Sequence, residues 1–105
     1  MTGAHELQQA SELIYGDRSG SYGKAREDFG ATAEMWTAIL RRKGMLAAGA
    51  KLDAHAVALL MVGLKLSREA HKPKSDNRID GCGYMALAGD VLPEKAKPVG
   101  AGETA

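Results

Sequence analysis

Apolar residues recur at intervals of three and four along most of this 105-residue chain, and they alternate with polar residues nowhere over the length of a strand. Intervals of three and four place side chains on one face of an α-helix, whereas a half-buried strand needs a period of two. No internal repeat is present. The sequence therefore predicts an all-α fold, and its length fits one domain with a modest core.

Four helical segments follow from the apolar stripes and from the residues that begin and end helices. Asp53 is a good N-cap for the third segment, which Pro73 stops. Ser75 or Asp76 can cap the fourth. The expected helices are His5–Tyr15, Lys24–Lys43, residues 54–72, and residues 75 or 76 to about Val91.

These segments predict a four-to-five-helix bundle, or half of a larger bundle that a second subunit completes. Residues 44–52 are a glycine- and alanine-rich connection, and residues 16–23 form a glycine-rich loop between the first two helices. We expect one helical domain over residues 1–92. Residues 93–105, which are polar and rich in small residues, are expected to form a disordered tail.

Composition limits the classes of function. Lysine plus arginine total 14 against 13 acidic residues, a net charge of +1 that argues against a protein whose main task is to coat nucleic acid. A single cysteine, Cys82, excludes an intramolecular disulfide and favours a reducing cytoplasm. We expect no signal peptide and no membrane span, since no apolar run approaches roughly 18 residues.

The fourth helix carries two carboxylates in line with apolar residues. At about 100° per residue, Asp76 and Asp80 share one stripe with Leu87, so they are expected on its inner side. Adjacent buried carboxylates repel each other unless a cation neutralises them. Mg²⁺ suits such a site because it accepts oxygen ligands, keeps several waters and binds phosphates. The alternative is a capping role for Asp76 and a solvated or salt-bridged Asp80.

The third helix presents two cations from its apolar side. Lys65 and Arg68 share a broad face with Val57 and Met61. Such side chains bind phosphate oxygens, arginine through its planar fork and lysine as a point charge. The alternative is a structural ion pair with an aspartate of the fourth helix.

The glycine-rich loop and the second helix hold further candidates. Glycines in the loop permit close approach of a ligand, and successive amides there can bind an anion, with Arg18 beside them. An ordinary helix connector is the alternative. Glu27 and Glu34 share one side of the second helix, away from its apolar stripe. They become ligands only if the bundle or a second subunit packs against that side.

Three stretches in this order, YGDRSGSYGKAREDFGATAEMW, DAHAVALLMVGLKLSREA and SDNRIDGCGYMALAG, resemble a group of small phage-encoded proteins. That group is similar to the MazG-like, all-α nucleoside triphosphate pyrophosphohydrolases. The resemblance covers about residues 12–92. It implies a homodimer or homotetramer in the host cytoplasm that binds Mg²⁺ (or Mn²⁺) through helix carboxylates and cleaves a nucleotide between its α- and β-phosphates.

The resemblance also assigns residues. Asp80 matches the aspartate of a Glu-x-x-Asp pair, Asn77 stands in place of its glutamate, and Asp76 lies just before. The earlier Glu-x-x-Glu pair is absent, since Gly30 follows Glu27 and Ala31 precedes Glu34 at that interval. The implied metal ligands are Glu27, Asp76 and Asp80. The implied catalytic or charge-neutralising residues are Glu34, Lys65 and Arg68. The implied nucleotide contacts are Arg18, Tyr22, Lys65, Arg68, Asn77 and Tyr84.

Three functions remain open on the sequence. The leading one is a Mg²⁺-dependent pyrophosphohydrolase that converts an NTP or dNTP to NMP and pyrophosphate. The second is a non-catalytic phage protein that sequesters a host nucleotide or nucleotide signal, which the missing Glu-x-x-Glu pair favours. The third is a structural or interaction domain whose charged pairs are salt bridges.

Overall fold

The computed structural model describes residues 2–16 and 21–93, with the backbone alone for residues 21–23. Every regular element in these ranges is an α-helix, which confirms the all-α prediction. Arg18 and the predicted tail beyond residue 93 lie outside the described residues, as does the side chain of Tyr22. The helices are α1 (Gly3–Tyr15), α2 (Ser21–Arg42), α3 (Ala54–His71) and α4 (Ser75–Asp90).

Local signals account for several helix ends. The Thr2 hydroxyl accepts a hydrogen bond from the His5 amide at 3.2 Å, so α1 begins two residues before its expected start. Asp53 caps α3 as predicted, accepting from the Ala56 amide at 2.8 Å. Helix α2 ends where Gly44 adopts a left-handed φ of 72°, and the connection that follows is not helical.

The predicted cap of α4 is wrong. The N-cap position is Lys74, and no side chain within the helix start fills the role expected of Ser75 or Asp76. Instead, the Glu69 carboxylate of α3 accepts from the Lys74 amide at 2.9 Å. The Ser75 hydroxyl donates to Glu6 of α1 at 2.8 Å. Contacts from neighbouring helices therefore replace the local cap.

Helices α3 and α4 form an antiparallel hairpin, and this pair has the most extensive contact in the fold. Helix α1 lies along α4 and runs in the same direction. Its Glu6 meets the first turn of α4, and the Tyr15 hydroxyl donates to Asp90 at the last turn, at 2.5 Å. Helix α2 packs chiefly on α3, and its Thr37 hydroxyl accepts from the amide of Leu52, in the connection before α3, at 2.9 Å.

Small side chains dominate the core. Val57 is the largest side chain that is less than 2% exposed. Most leucine and methionine side chains lie partly or largely at the surface, so one copy of the chain covers only part of its apolar residues. Among the described residues, the buried apolar ones are Ala10, Ala33, Val57, Ala58, Ile79, Leu87, Ala88 and Val91.

Gly83 allows α1 to approach α4 closely. A Cβ atom at this position would lie 3.4 Å from both Cγ1 and Cδ1 of Ile14. That distance is at the short edge of ordinary van der Waals contact, so a single carbon just fits and a longer side chain does not. Gly89, six residues further along α4, has open space around the same position.

We therefore expect Gly83→Leu to lower the free energy of unfolding by about 1–3 kcal/mol, because the added side chain forces α1 away from α4. Gly89→Leu is the matched control and should be neutral or slightly stabilising, since leucine has the higher helix propensity. Urea denaturation followed by circular dichroism measures both. Equal stability of the two variants would contradict the close α1–α4 contact.

A charged network joins three helices at one end of the bundle. The Arg78 guanidinium donates through Nε to Glu6 at 2.9 Å and through Nη1 to Glu69. Glu6 is only 5% exposed, so its carboxylate depends on these partners. The hydrogen bond from Ser75, followed by Arg78, lowers the pKa of Glu6 below its ordinary 4.5. The bond from the Lys74 amide, followed by Arg78, lowers the pKa of Glu69.

These lowered pKa values predict acid sensitivity. The folded carboxylates bind fewer protons than the unfolded ones, so their stabilisation is complete above the unfolded pKa of about 4.5 and is lost as the pH falls through the folded values. The melting temperature should drop between about pH 5 and pH 3. The double variant Glu6→Gln/Glu69→Gln should flatten this dependence, whereas Glu27→Gln/Glu34→Gln, at exposed positions, should retain it.

Candidate functional site

The antiparallel α3–α4 hairpin brings one predicted cation and one predicted carboxylate together. Lys65 Nζ lies 3.0 Å from Asp80 Oδ2. The lysine side chain is 13% exposed, whereas the aspartate is 39% exposed, so the pair is anchored from the α3 side and opens to solvent at Asp80. The Asp80 carboxylate remains accessible to a ligand, and the Lys65 ammonium lies in the contact between α3 and α4.

Asp80 also lines a pocket between α1 and α4, which we call the α1–α4 pocket. Its volume is about 150 Å³, and its walls include Leu13, Ile14 and Leu87. Of the described residues that line it, Asp80 alone is charged. Tyr84 lines the same pocket, and its ring faces Phe29 of α2 at a centroid distance of 6.2 Å and an angle of 40°. The structure thus places Asp80 and Tyr84 in one pocket, while Lys65 contacts Asp80 and itself lines a different cavity.

Asp76 does not lie on the inner side of α4, so that prediction is wrong. It is exposed, although it shares a helical stripe with Asp80. The first turn of α4 is covered from the sides that bear Ser75 and Asn77, where Glu6 and Glu69 approach. Those contacts leave Asp76 outside. Helical periodicity predicted the correct stripe of α4, but it did not show how much of that stripe the neighbouring helices cover.

Three other predicted site residues lie at the surface. Arg68 on α3 and Glu27 and Glu34 on α2 are all exposed. Across residues 2–16 and 21–93, no three histidine, cysteine, aspartate or glutamate side chains come close enough to hold a metal ion together. One copy of the chain therefore offers the two carboxylates of Asp76 and Asp80, one turn apart on α4.

Asn77 has a structural environment. It is buried, and its side-chain amide donates to Glu69 Oε1 and to the Lys72 carbonyl oxygen, both at 3.3 Å. These bonds fix the chain reversal between α3 and α4. Asn77 lines a different cavity from the one that Asp80 lines.

That second cavity, the three-helix cleft, was not predicted from the sequence. It has a volume of about 500 Å³ and lies between α1, α3 and α4. Leu7, Leu66 and Met85 form its apolar walls, each 58–65% exposed. The sequence signal was present in Leu66 and Met85, which fall outside the expected inner stripes of the third and fourth helices. The charged residues at its polar end, Glu6, Glu69 and Arg78, already bind one another.

Residues 5–92 match DUF6378, a domain of unknown function, and the chain belongs to that family. The match covers all four helices except the first two residues of α1. No curated protein and no solved structure matches the chain. Within the described ranges, no helix is both long enough and apolar enough to cross a membrane.

The two charged clusters should differ in their importance for stability. Lys65→Met retains the aliphatic stem and should cost less than about 1 kcal/mol, because its partner Asp80 is partly solvated. Arg78→Met should cost clearly more, since it leaves the buried Glu6 carboxylate without its cation. Thermal unfolding at pH 7 compares them. A larger loss for Lys65→Met would show that the Lys65–Asp80 pair is primarily structural.

Proposed function

We propose that this chain is a Mg²⁺-dependent nucleotide pyrophosphohydrolase centred on Asp80. The observation that supports this most directly is the accessible Asp80 carboxylate, which adjoins a half-buried lysine and opens into the α1–α4 pocket. A carboxylate, a cation and an aromatic residue in one region are the groups that nucleotide phosphates and a base require. The resemblance to MazG-like enzymes supplies the reaction.

The donor chemistry fits magnesium. Asp76 and Asp80 supply two carboxylates, and Mg²⁺ commonly takes one or two carboxylates, with waters and substrate phosphates as its remaining ligands. When bound, the ion would neutralise phosphate charge and activate a water molecule. Manganese, which also prefers oxygen ligands, is an expected substitute. Glu27 and Glu34 lie on an exposed side of α2 and would join this set when another copy or a ligand covers that side.

The chain's own cations and aromatic residues have distinct roles in this proposal. Lys65 exchanges part of its contact with Asp80 for a contact with a phosphate oxygen. Its positive charge then stabilises the negative charge that develops on the leaving pyrophosphate. Arg68 is exposed on the same helix and provides a bidentate phosphate contact. The α1–α4 pocket is smaller than the roughly 300–1,000 Å³ of most ligand sites, so it receives only part of the nucleotide, such as the base beside Tyr84.

A specific observation favours a second candidate function. The described residues contain no cluster of three metal-binding side chains, and the sequence lacks the Glu-x-x-Glu pair. A protein that binds a nucleotide without hydrolysing it needs the basic and aromatic residues but not a complete metal site. This candidate is the non-catalytic binder that sequesters a nucleotide or nucleotide signal.

Incubation with a panel of canonical and modified NTPs and dNTPs in Mg²⁺ should release pyrophosphate from at least one of them. Asp80→Asn should reduce kcat/KM by roughly 100-fold or more, since even outer partners of a metal site contribute 10–100-fold. Asp28→Asn, an exposed change on α2, is the matched control and should retain activity. Circular dichroism verifies that both variants fold.

The outcomes separate the two candidates. Pyrophosphate release that EDTA abolishes and that Asp80→Asn impairs supports the enzyme. Nucleotide binding by calorimetry without release, insensitive to EDTA, supports the binder. Neither binding nor release with any nucleotide, in protein that is folded and in its native assembly state, rejects both.

A further inference from the structure

The three-helix cleft has the size and the lining of a small-molecule site. Its volume of about 500 Å³ falls within the roughly 300–1,000 Å³ of most ligand sites, whereas the α1–α4 pocket is smaller. Leu7, Leu66 and Met85 form apolar walls from three different helices, and charged residues lie at one end. Sites of this kind enclose an apolar body and use a few polar groups to select it. The polar end therefore decides which ligands the cleft can bind.

The charges at the polar end do not balance. Glu6 and Glu69 share one guanidinium, that of Arg78. Lys65 also lines the cleft, but its ammonium lies 3.0 Å from Asp80, a carboxylate that lines the α1–α4 pocket. Among the described residues that line the cleft, together with their ion-pair partners, three carboxylates thus meet two cations. The surplus negative charge favours a cationic ligand over an anionic one.

Glu6 also has an acceptor atom that the described residues do not use. Its side chain is 7% exposed, and the hydrogen bonds that it accepts from Ser75 and Arg78 both end on Oε2. Glu69, by contrast, uses both oxygens, Oε1 for the Lys74 amide and Oε2 for Arg78. The hydrogen bond from Ser75 lowers the pKa of Glu6, so its carboxylate is ionised at neutral pH. A nearly buried, ionised oxygen is stabilised by a donor, and most of all by a cationic one.

We propose that the three-helix cleft binds a small amphipathic amine. The protonated amine donates to Glu6 Oε1 and supplies the positive charge that the polar end lacks. The apolar body of the ligand lies along Leu7, Leu66 and Met85, which are 58–65% exposed. A carboxylate or phosphate is disfavoured, since it would bring a second anion to Glu6 and no donor. This site does not depend on the nucleotide chemistry proposed above.

An NMR titration of the isotope-labelled full chain at pH 7, without nucleotide or metal, tests the ligand class. Hexylamine should bind at least about tenfold more tightly than hexanol, because its hydrogen bond to Glu6 is charge-assisted on both sides. Hexanoate should bind more weakly than hexanol. Affinity should also rise by roughly tenfold from butylamine to hexylamine, since two further methylenes are buried. The amide shifts should centre on Gly81 and Met85, which line the cleft.

Two variants separate the apolar part of the site from the polar part. Met85→Trp places a larger side chain in the cleft and should weaken hexylamine binding at least about tenfold. Met35→Trp, at a similarly exposed position of α2, is the matched control and should leave that affinity unchanged. Glu6→Gln should bind hexylamine and hexanol about equally. Circular dichroism verifies the fold of each variant, and if Glu6→Gln does not fold, the wild-type comparison of amine with alcohol decides the role of the charge.

Each other result overturns the proposal. Equal affinities of the wild type for hexylamine and hexanol would show a cleft that does not select charge. Tighter binding of hexanoate would assign the cleft to an anion that pairs with Lys65. Hexylamine binding that Met85→Trp leaves unchanged would lie elsewhere on the chain, and a failure of all probes to bind would reject the site. Because the titration contains no nucleotide, each of these failures is distinguishable from an absence of nucleotide hydrolysis.

Discussion

The position of Arg78 between two carboxylates holds this bundle together at one end. Its guanidinium joins Glu6 of α1 to Glu69 of α3, while Ser75 and the Lys74 amide complete the two acceptors. Without a cation there, a nearly buried carboxylate would lack a charge partner, and of the polar contacts described here α1 would keep only those of Ser75 and Tyr15 with α4. The same contacts set the direction of α1 along α4. The α1–α4 pocket, with Asp80 at its edge, exists because α1 is held in that direction.

The sequence predicted the helices well because their signals are local. Apolar intervals and the Asp53 cap gave the all-α class and the main bounds of α3, and the helical wheel anticipated the meeting of Lys65 and Asp80. The failures concern residues whose environment is set by other helices. Asp76 occupies the expected stripe but lies where no helix covers it, and the cap of α4 comes from Glu69, five residues before Lys74 on another helix. Periodicity specifies a face, but only tertiary packing specifies what covers that face.

The same distinction applies to function. The resemblance proposes a set of carboxylates from two helices, while a single copy presents Asp76 and Asp80 on α4 and leaves Glu27 and Glu34 on the surface of α2. Surface carboxylates acquire a role from what packs against them, whether a metal-bound nucleotide or another subunit. The ion pair of Lys65 with Asp80 is compatible with exchange, because Asp80 is partly solvated, whereas the Arg78 network includes the nearly buried carboxylate of Glu6.

The long reach of Glu6 has a consequence for how the chain folds. Its partners Ser75 and Arg78 are 69 and 72 residues away along the sequence, whereas Arg78 and Glu69 are only nine apart. Closing the short segment costs far less chain entropy than closing the long one, so the hairpin can nucleate early and α1 attaches late. During synthesis, α1 leaves the ribosome before α4 and therefore waits for α4 before it can bury its glutamate.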